Sequence, residues 1–186
     1  MDCITLDETV MVSDPCYSDP TWCQIKLTNV LPGQYYPTCR IIEDPYWGER
    51  CSVLLVVHKD YLHDTLSWRN SPGEVGVDSG QAGIFSYDTY RNDSICDDID
   101  SPVCCGFPSF GTPGEDWYEK VSGFTLSSEK WGSYYKGVVS SSGIGDGGYR
   151  CLLAKDKGKV VGIAIDYSME KLRNKDMNVI IQEQLN

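Results

Sequence analysis

The stretch Cys51-Ser52-Val53-Leu54-Leu55-Val56-Val57 decides the fold class. It is apolar at every position from Val53 to Val57, and the run is too short for a helix that must bury a stripe. A strand exposed on one side alternates apolar and polar residues, whereas a strand covered on both sides does not. The segment, within Arg50 to Lys59, therefore predicts a central strand with layers above and below it. No tract approaches the ~20 apolar residues of a membrane-spanning helix.

Working outward, shorter strand signals surround this centre. Ile4 and Leu6, then Val10 and Val12, alternate with a period of two, until Asp14-Pro15 ends the pattern. Ile25 and Leu27 mark another strand. Leu31-Pro32-Gly33 is a turn, Tyr35 to Ile42 is extended, and Asp44-Pro45-Tyr46-Trp47-Gly48 turns the chain into the central strand. Val75 to Val77 and Ala82 to Tyr87 flank a glycine-containing bend. Val121 to Leu126 and Tyr134 to Ser140 are expected as strands. Tyr149 to Ala154 and Lys159 to Tyr167 form the clearest hairpin, joined by Lys155-Asp156-Lys157-Gly158. The sum is a single-domain, mainly β fold over residues 1–186. A β-sandwich or strongly bent antiparallel sheet is expected, with the sandwich preferred to a closed barrel.

Two regions depart from this pattern. Residues 91–116 carry Asp93, Asp97, Asp98 and Asp100 followed by Pro102, Pro108 and Pro113, and read as a long acidic Pro/Gly loop or insertion. Residues 168–186 read as a helical tail capped by Ser168, with Met169, Leu172 and Ile180 in helical spacing; an edge strand over Asn178 to Gln182 is the alternative.

Acidic residues outnumber basic ones by 27 to 16, a net charge of −11. Such a surface repels a phosphate backbone, which argues against nucleic acid as a partner. The N-terminal residues lack the positive region and apolar core of a signal peptide, so a cytoplasmic protein is expected. Nine cysteines, an odd number with no Cys-x-x-Cys, point to free thiols instead of a disulfide framework. A zinc site would need ligands from distant segments, so no metal site is assigned. Adjacent Cys104-Cys105 is the candidate redox pair.

The candidate chemistry sits in three aspartate-bearing turns. The first is Ser13-Asp14-Pro15-Cys16-Tyr17, where Asp14 suits a turn by accepting backbone N–H bonds. The second is Gly76-Val77-Asp78-Ser79-Gly80, small enough for close approach of a ligand or a second backbone. The third is Ser142-Gly143-Ile144-Gly145-Asp146-Gly147-Gly148-Tyr149. It lacks the Lys-Ser/Thr ending of a P-loop and leads into a strand, not a helix, so it is neither a Walker motif nor a dinucleotide fingerprint. If the last hairpin is regular, Asp166 returns to the end that holds Asp146. The cations nearest in sequence are Arg150 and Lys136. The candidate ligand-binding residues are thus Asp14, Tyr17, Asp78, Ser79, Gly80, Gly145, Asp146, Gly147, Tyr149 and Asp166; no residue is assigned as catalytic.

The order of these motifs resembles the DUF4241 family of small uncharacterised bacterial and phage proteins. The likeness runs from about Val12 to Tyr167, through Leu31-Pro32-Gly33-Gln34-Tyr35 and the closing Gly158 to Tyr167 segment. It implies that Asp14, Asp78, Gly80, Asp146, Gly147 and Tyr149 occupy recurring positions, with Ser79 where Ala or another small residue is common. The family lends no established activity and no cofactor. The expectation is a non-enzymatic binding protein, a phage or mobile-element accessory factor that inhibits a host system by occupying a protein partner or small ligand. The alternatives are a metal-assisted hydrolase using Asp78, Asp146 and Asp166, and a sponge holding a nucleotide in the glycine loops.

Overall fold

The computed structural model describes residues 3–104, 106 and 111–185. The central strand is β5 (Gly48–His58), and its side chains divide between two cores. Leu54 and Val56 point into a core between two sheets, while Val53, Leu55 and Val57 point into a second core on the outer face. Both faces are therefore covered, as its continuous apolar run demands.

Sheet A has six antiparallel strands in the order β1 (Ile4–Leu6), β4 (Gly33–Asp44), β5, β11 (Lys159–Asp166), β10 (Gly147–Asp156) and β6 (Trp68–Val77). Sheet B has five, in the order β3 (Ile25–Leu27), β2 (Val10–Ser13), β7 (Gln81–Ser86), β9 (Gly137–Ser141) and β8 (Trp131–Tyr134). The inner core draws on both sheets, including Tyr35, Leu54, Ile84, Val138 and Ile163. This is a sandwich. Each outer face then carries a helix. Met177, Ile180 and Ile181 of α2 (Asp176–Leu185) cover sheet A, and Trp117, Val121 and Phe124 of α1 (Glu115–Thr125) cover Met11, Phe85 and Val139 of sheet B.

Helix α1 corrects the expected strand at Val121 to Leu126. Trp117, Val121 and Phe124 are spaced by four and three residues, which places them on one helical face. Trp117 packs edge-on against Phe85 and Tyr90, with ring centroids 5.1 and 5.2 Å away. The helix is started in trans: Asp93 accepts the N–H of Gly114 at 2.7 Å and of Trp117 at 2.9 Å. The segment 91–116 is accordingly not an open loop. It holds a 3₁₀ turn at Asp93–Asp98, buries Ile99 and ends inside α1. Cys105, half of the candidate redox pair, and residues 107–110 lie outside the described residues.

Three smaller corrections follow. Tyr134 to Ser140 is not one strand: β8 and β9 meet across Tyr135-Lys136. Strand β6 begins well before Val75 and tolerates Pro72 because it lies at the sheet edge. The tail is helical, but only from Asp176. Ser168 has a left-handed φ of 59° and starts no helix, and the edge-strand alternative over Asn178 to Gln182 is occupied by α2. The last hairpin is as expected, with Lys157 (φ 47°) and Gly158 (φ 84°) forming its tight turn. No helix among the described residues is long and apolar enough to cross a membrane.

The sandwich leaves no room beside Gly83 in β7. A Cβ there would lie 2.2 Å from the Phe85 ring and 2.5 Å from the Val138 carbonyl. Gly83→Ala is expected to cost about 1–3 kcal/mol through overpacking. Urea denaturation followed by tryptophan fluorescence checks this, and an unshifted midpoint would refute it.

Candidate functional site

The three aspartate-bearing turns meet at one end of the sandwich. Asp14 ends β2 and is fully buried, with no ion-pair partner among the described residues. Its carboxylate instead accepts four hydrogen bonds. Oδ1 takes the Cys16 N–H at 2.9 Å and the Ser79 hydroxyl at 2.6 Å; Oδ2 takes the N–H of Asp78 at 2.9 Å and of Ser79 at 2.7 Å. The first turn thereby clamps the second. The second then holds the third, because the Ser142 N–H donates to the Gly80 carbonyl at 2.9 Å and Gly147 pairs with Val77 in the β6–β10 ladder.

The third turn is closed on itself. Gly145 N–H donates to the Ser142 carbonyl at 2.7 Å, and the Gly145 carbonyl accepts the Ser142 hydroxyl at 2.8 Å and the Tyr149 hydroxyl at 2.6 Å. Gly143 and Gly145 have φ values of 43° and 113°, where a side chain is strained. Tyr149 is buried below, edge-on to Tyr167 at 5.2 Å.

Above this turn lies a pocket of about 300 Å³. Gly80, Ser142, Gly143, Ile144 and Gly145 form one side; Ser141, Thr125, Arg50 and Lys130 complete it. Lys130, which precedes β8, is placed by the Ser141 N–H donating to its carbonyl at 2.8 Å. Its Nζ donates to the Glu49 carbonyl at 3.2 Å and stands 3.6 Å from the Glu49 carboxylate. Arg50 donates to the Glu49 carbonyl at 2.7 Å and forms no salt bridge among the described residues. Two cations thus border a glycine turn on a chain of net charge −11.

The candidate residues separate into distinct positions. Gly80 and Gly145 line the pocket. Asp14, Ser79 and Tyr149 hold its turns from behind, and Gly147 joins the ladder. Asp78 and Asp146 are exposed at the rim. Tyr17 faces Asp78 and Cys23; burial first, then these two neighbours, raises its phenol pKa and keeps it protonated. Asp166 is set apart. It alternates with inward-facing Ile165 and Tyr167, so it faces the outer layer, where it pairs with Arg150 and accepts the Ser168 N–H at 2.8 Å. Among the described residues no three His, Cys, Asp or Glu side chains gather as a metal site.

The nearest cations in sequence are not the ones at the pocket. Arg150 is committed to Asp166, and Lys136 to Asp7 and Asp88. Arg50 and Lys130 take their place, and neither carries a motif signal. Behind them the Cys51 thiol, fully buried, lies 3.3 Å from the Ser141 hydroxyl. A hydrogen bond with the Cys39 thiol lowers its pKa against the opposing effect of burial, helped by Ser141 and the Lys130 charge. All eight described cysteines are free. No family model, curated protein or solved structure matches the chain.

Asp14→Ala removes the acceptor of three buried-side N–H groups and one hydroxyl. A loss of roughly 3 kcal/mol or more is expected, with a smaller loss for Asp14→Asn, whose amide oxygen still accepts. Chemical denaturation of both variants checks this; an Asp14→Ala protein as stable as the parent would remove the clamp.

Proposed function

We propose that this is a non-enzymatic binding protein that holds a small anion-bearing ligand in the rim pocket. The observation that carries the proposal is the convergence of Arg50 and Lys130 on the Gly143–Gly145 turn of a strongly acidic chain. Two cations bordering a pre-formed concavity favour an anionic group such as a phosphate or carboxylate. Binding is favoured over catalysis by the lining itself, which contains no His, Cys, Asp or Glu. The metal-assisted hydrolase draws less support, since Asp166 is neutralised by Arg150 and the three carboxylates do not assemble. The free thiols favour action in the cytoplasm. The role proposed for it is that of an accessory factor that works by sequestering such a ligand.

Isothermal titration with pyrophosphate tests the proposal. Binding is expected at about 20 mM salt and is expected to weaken strongly at about 500 mM, where charges are screened within a few ångströms. Arg50→Ala and Lys130→Gln should each weaken binding about tenfold, the effect of one charge-assisted hydrogen bond. Absence of heat at low salt, or affinity untouched by both substitutions, would overturn it.

A further inference from the structure

The pocket has an apolar side as well as a charged one. Ile144 lines it and is 62 % exposed. The β4–β5 hairpin that supplies Arg50 also carries Tyr46 and Trp47 at its tip, 90 % and 57 % exposed. That tip is a constructed turn. Asp44 Oδ1 accepts the N–H groups of both Tyr46 and Trp47 at 2.9 Å, and Gly48 takes a φ of 68°. The rings are therefore held in water by a fixed backbone. Exposed aromatic surface at the tip of the hairpin that supplies Arg50 to the cleft suits a contact with something else. Trp47 lies three residues from Arg50, about 10 Å along an extended strand.

We infer that the ligand is a nucleoside phosphate, with its phosphate on Arg50, Lys130 and the glycine turn and its base against Trp47 and Ile144. This rests on the anion site proposed above and specifies what that site takes. Two cations match one dianionic phosphate group. A cavity of about 300 Å³ is small for a whole cofactor, so it suits the phosphate and sugar while the base lies outside against the hairpin. The net charge of −11 repels a long phosphodiester backbone, which favours a mononucleotide over nucleic acid.

The test compares ribose 5-phosphate, adenosine and adenosine 5′-monophosphate by calorimetry at low salt, on the parent and on Trp47→Ala. Every base has a π-face, so the adenine compound is a fair probe. The parent is expected to bind the monophosphate about tenfold more tightly than ribose 5-phosphate, the gain of one stacked base. Trp47→Ala should erase that difference and leave ribose 5-phosphate unchanged; Arg50→Ala should weaken both phosphates. Trp47 is exposed, so its loss leaves the core intact. Equal affinity of the two phosphates, or a monophosphate affinity indifferent to Trp47→Ala, would overturn the inference while the anion site stands. Failure of both sugar phosphates while pyrophosphate binds would overturn the inference and leave the anion site, failure of all three would overturn the site itself, and adenosine binding as tightly as its monophosphate would overturn the inference by removing the role of the cations.

Discussion

Sheet A is apolar on both faces, and the rest of the architecture answers to that constraint. Val53, Leu55 and Val57 leave β5 on one side and Leu54 and Val56 on the other. Each such side chain is worth about 1.5–3 kcal/mol when buried, so neither face can be left to water. Sheet B closes one side and α2 the other. The chain from β11 to α2 is guided by polar anchors: Arg40 to Glu170 and Glu183, and Arg150 to Asp166, the Leu172 carbonyl and Asn174. The Arg40 pairs are partly exposed and contribute little net stability, whereas Asp166 is buried and depends on Arg150 for its counter-charge. Together they are positional, because they fix where the tail crosses the sheet on which Met177, Ile180 and Ile181 pack.

A sandwich covers its faces and leaves its ends to turns. At the site end, one buried carboxylate organises three of them. Removing a carboxylate from water without a cation is costly unless donors replace the lost hydration. Asp14 has four, from Cys16, Asp78 and Ser79. The same bonds that satisfy Asp14 fix the backbone of Ser79 and hence Gly80, on which Ser142 and the glycine turn hang. The pocket is consequently assembled in the folded chain, and a ligand would not have to order these turns itself.

What the sequence disclosed follows from how local each feature is. β5 was legible because burial on both faces removes polar residues from the strand itself. The last hairpin was legible because Lys157-Gly158 is a self-contained turn. Helix α1 was not, since its cap, Asp93, lies more than twenty residues before the N–H groups that it accepts, and Val121 to Phe124 alone resembles a strand. The site divides in the same way. Asp14, Gly80 and Gly145 announce themselves through turn chemistry. Arg50 and Lys130 reach the pocket from separate segments, one near the tip of a hairpin and the other before β8, and only the packing of the two sheets brings them together. Proximity in sequence pointed to Arg150 and Lys136, whose charges are already matched by Asp166, Asp7 and Asp88.

The acidic surface and the cationic pocket are complementary, not contradictory. At physiological salt a charge is felt over about 8 Å, so a long anion lying across the surface meets mostly repulsion. A small anion bound as proposed would lie within contact distance of Arg50 and Lys130, where the local pair would outweigh the distant surplus. In the proposed site Glu49 would sharpen the selection further. Its carboxylate stands 3.6 Å from the Lys130 amine, so a ligand must compete with a charge already in place. A monoanion merely exchanges one negative charge for another at Lys130. A dianion can satisfy Lys130 and Arg50 together, and Arg50 has no salt bridge to give up among the described residues. In the proposed site the resident carboxylate would discriminate by ligand charge, favouring a phosphate dianion over a monocarboxylate without any contact specific to phosphorus.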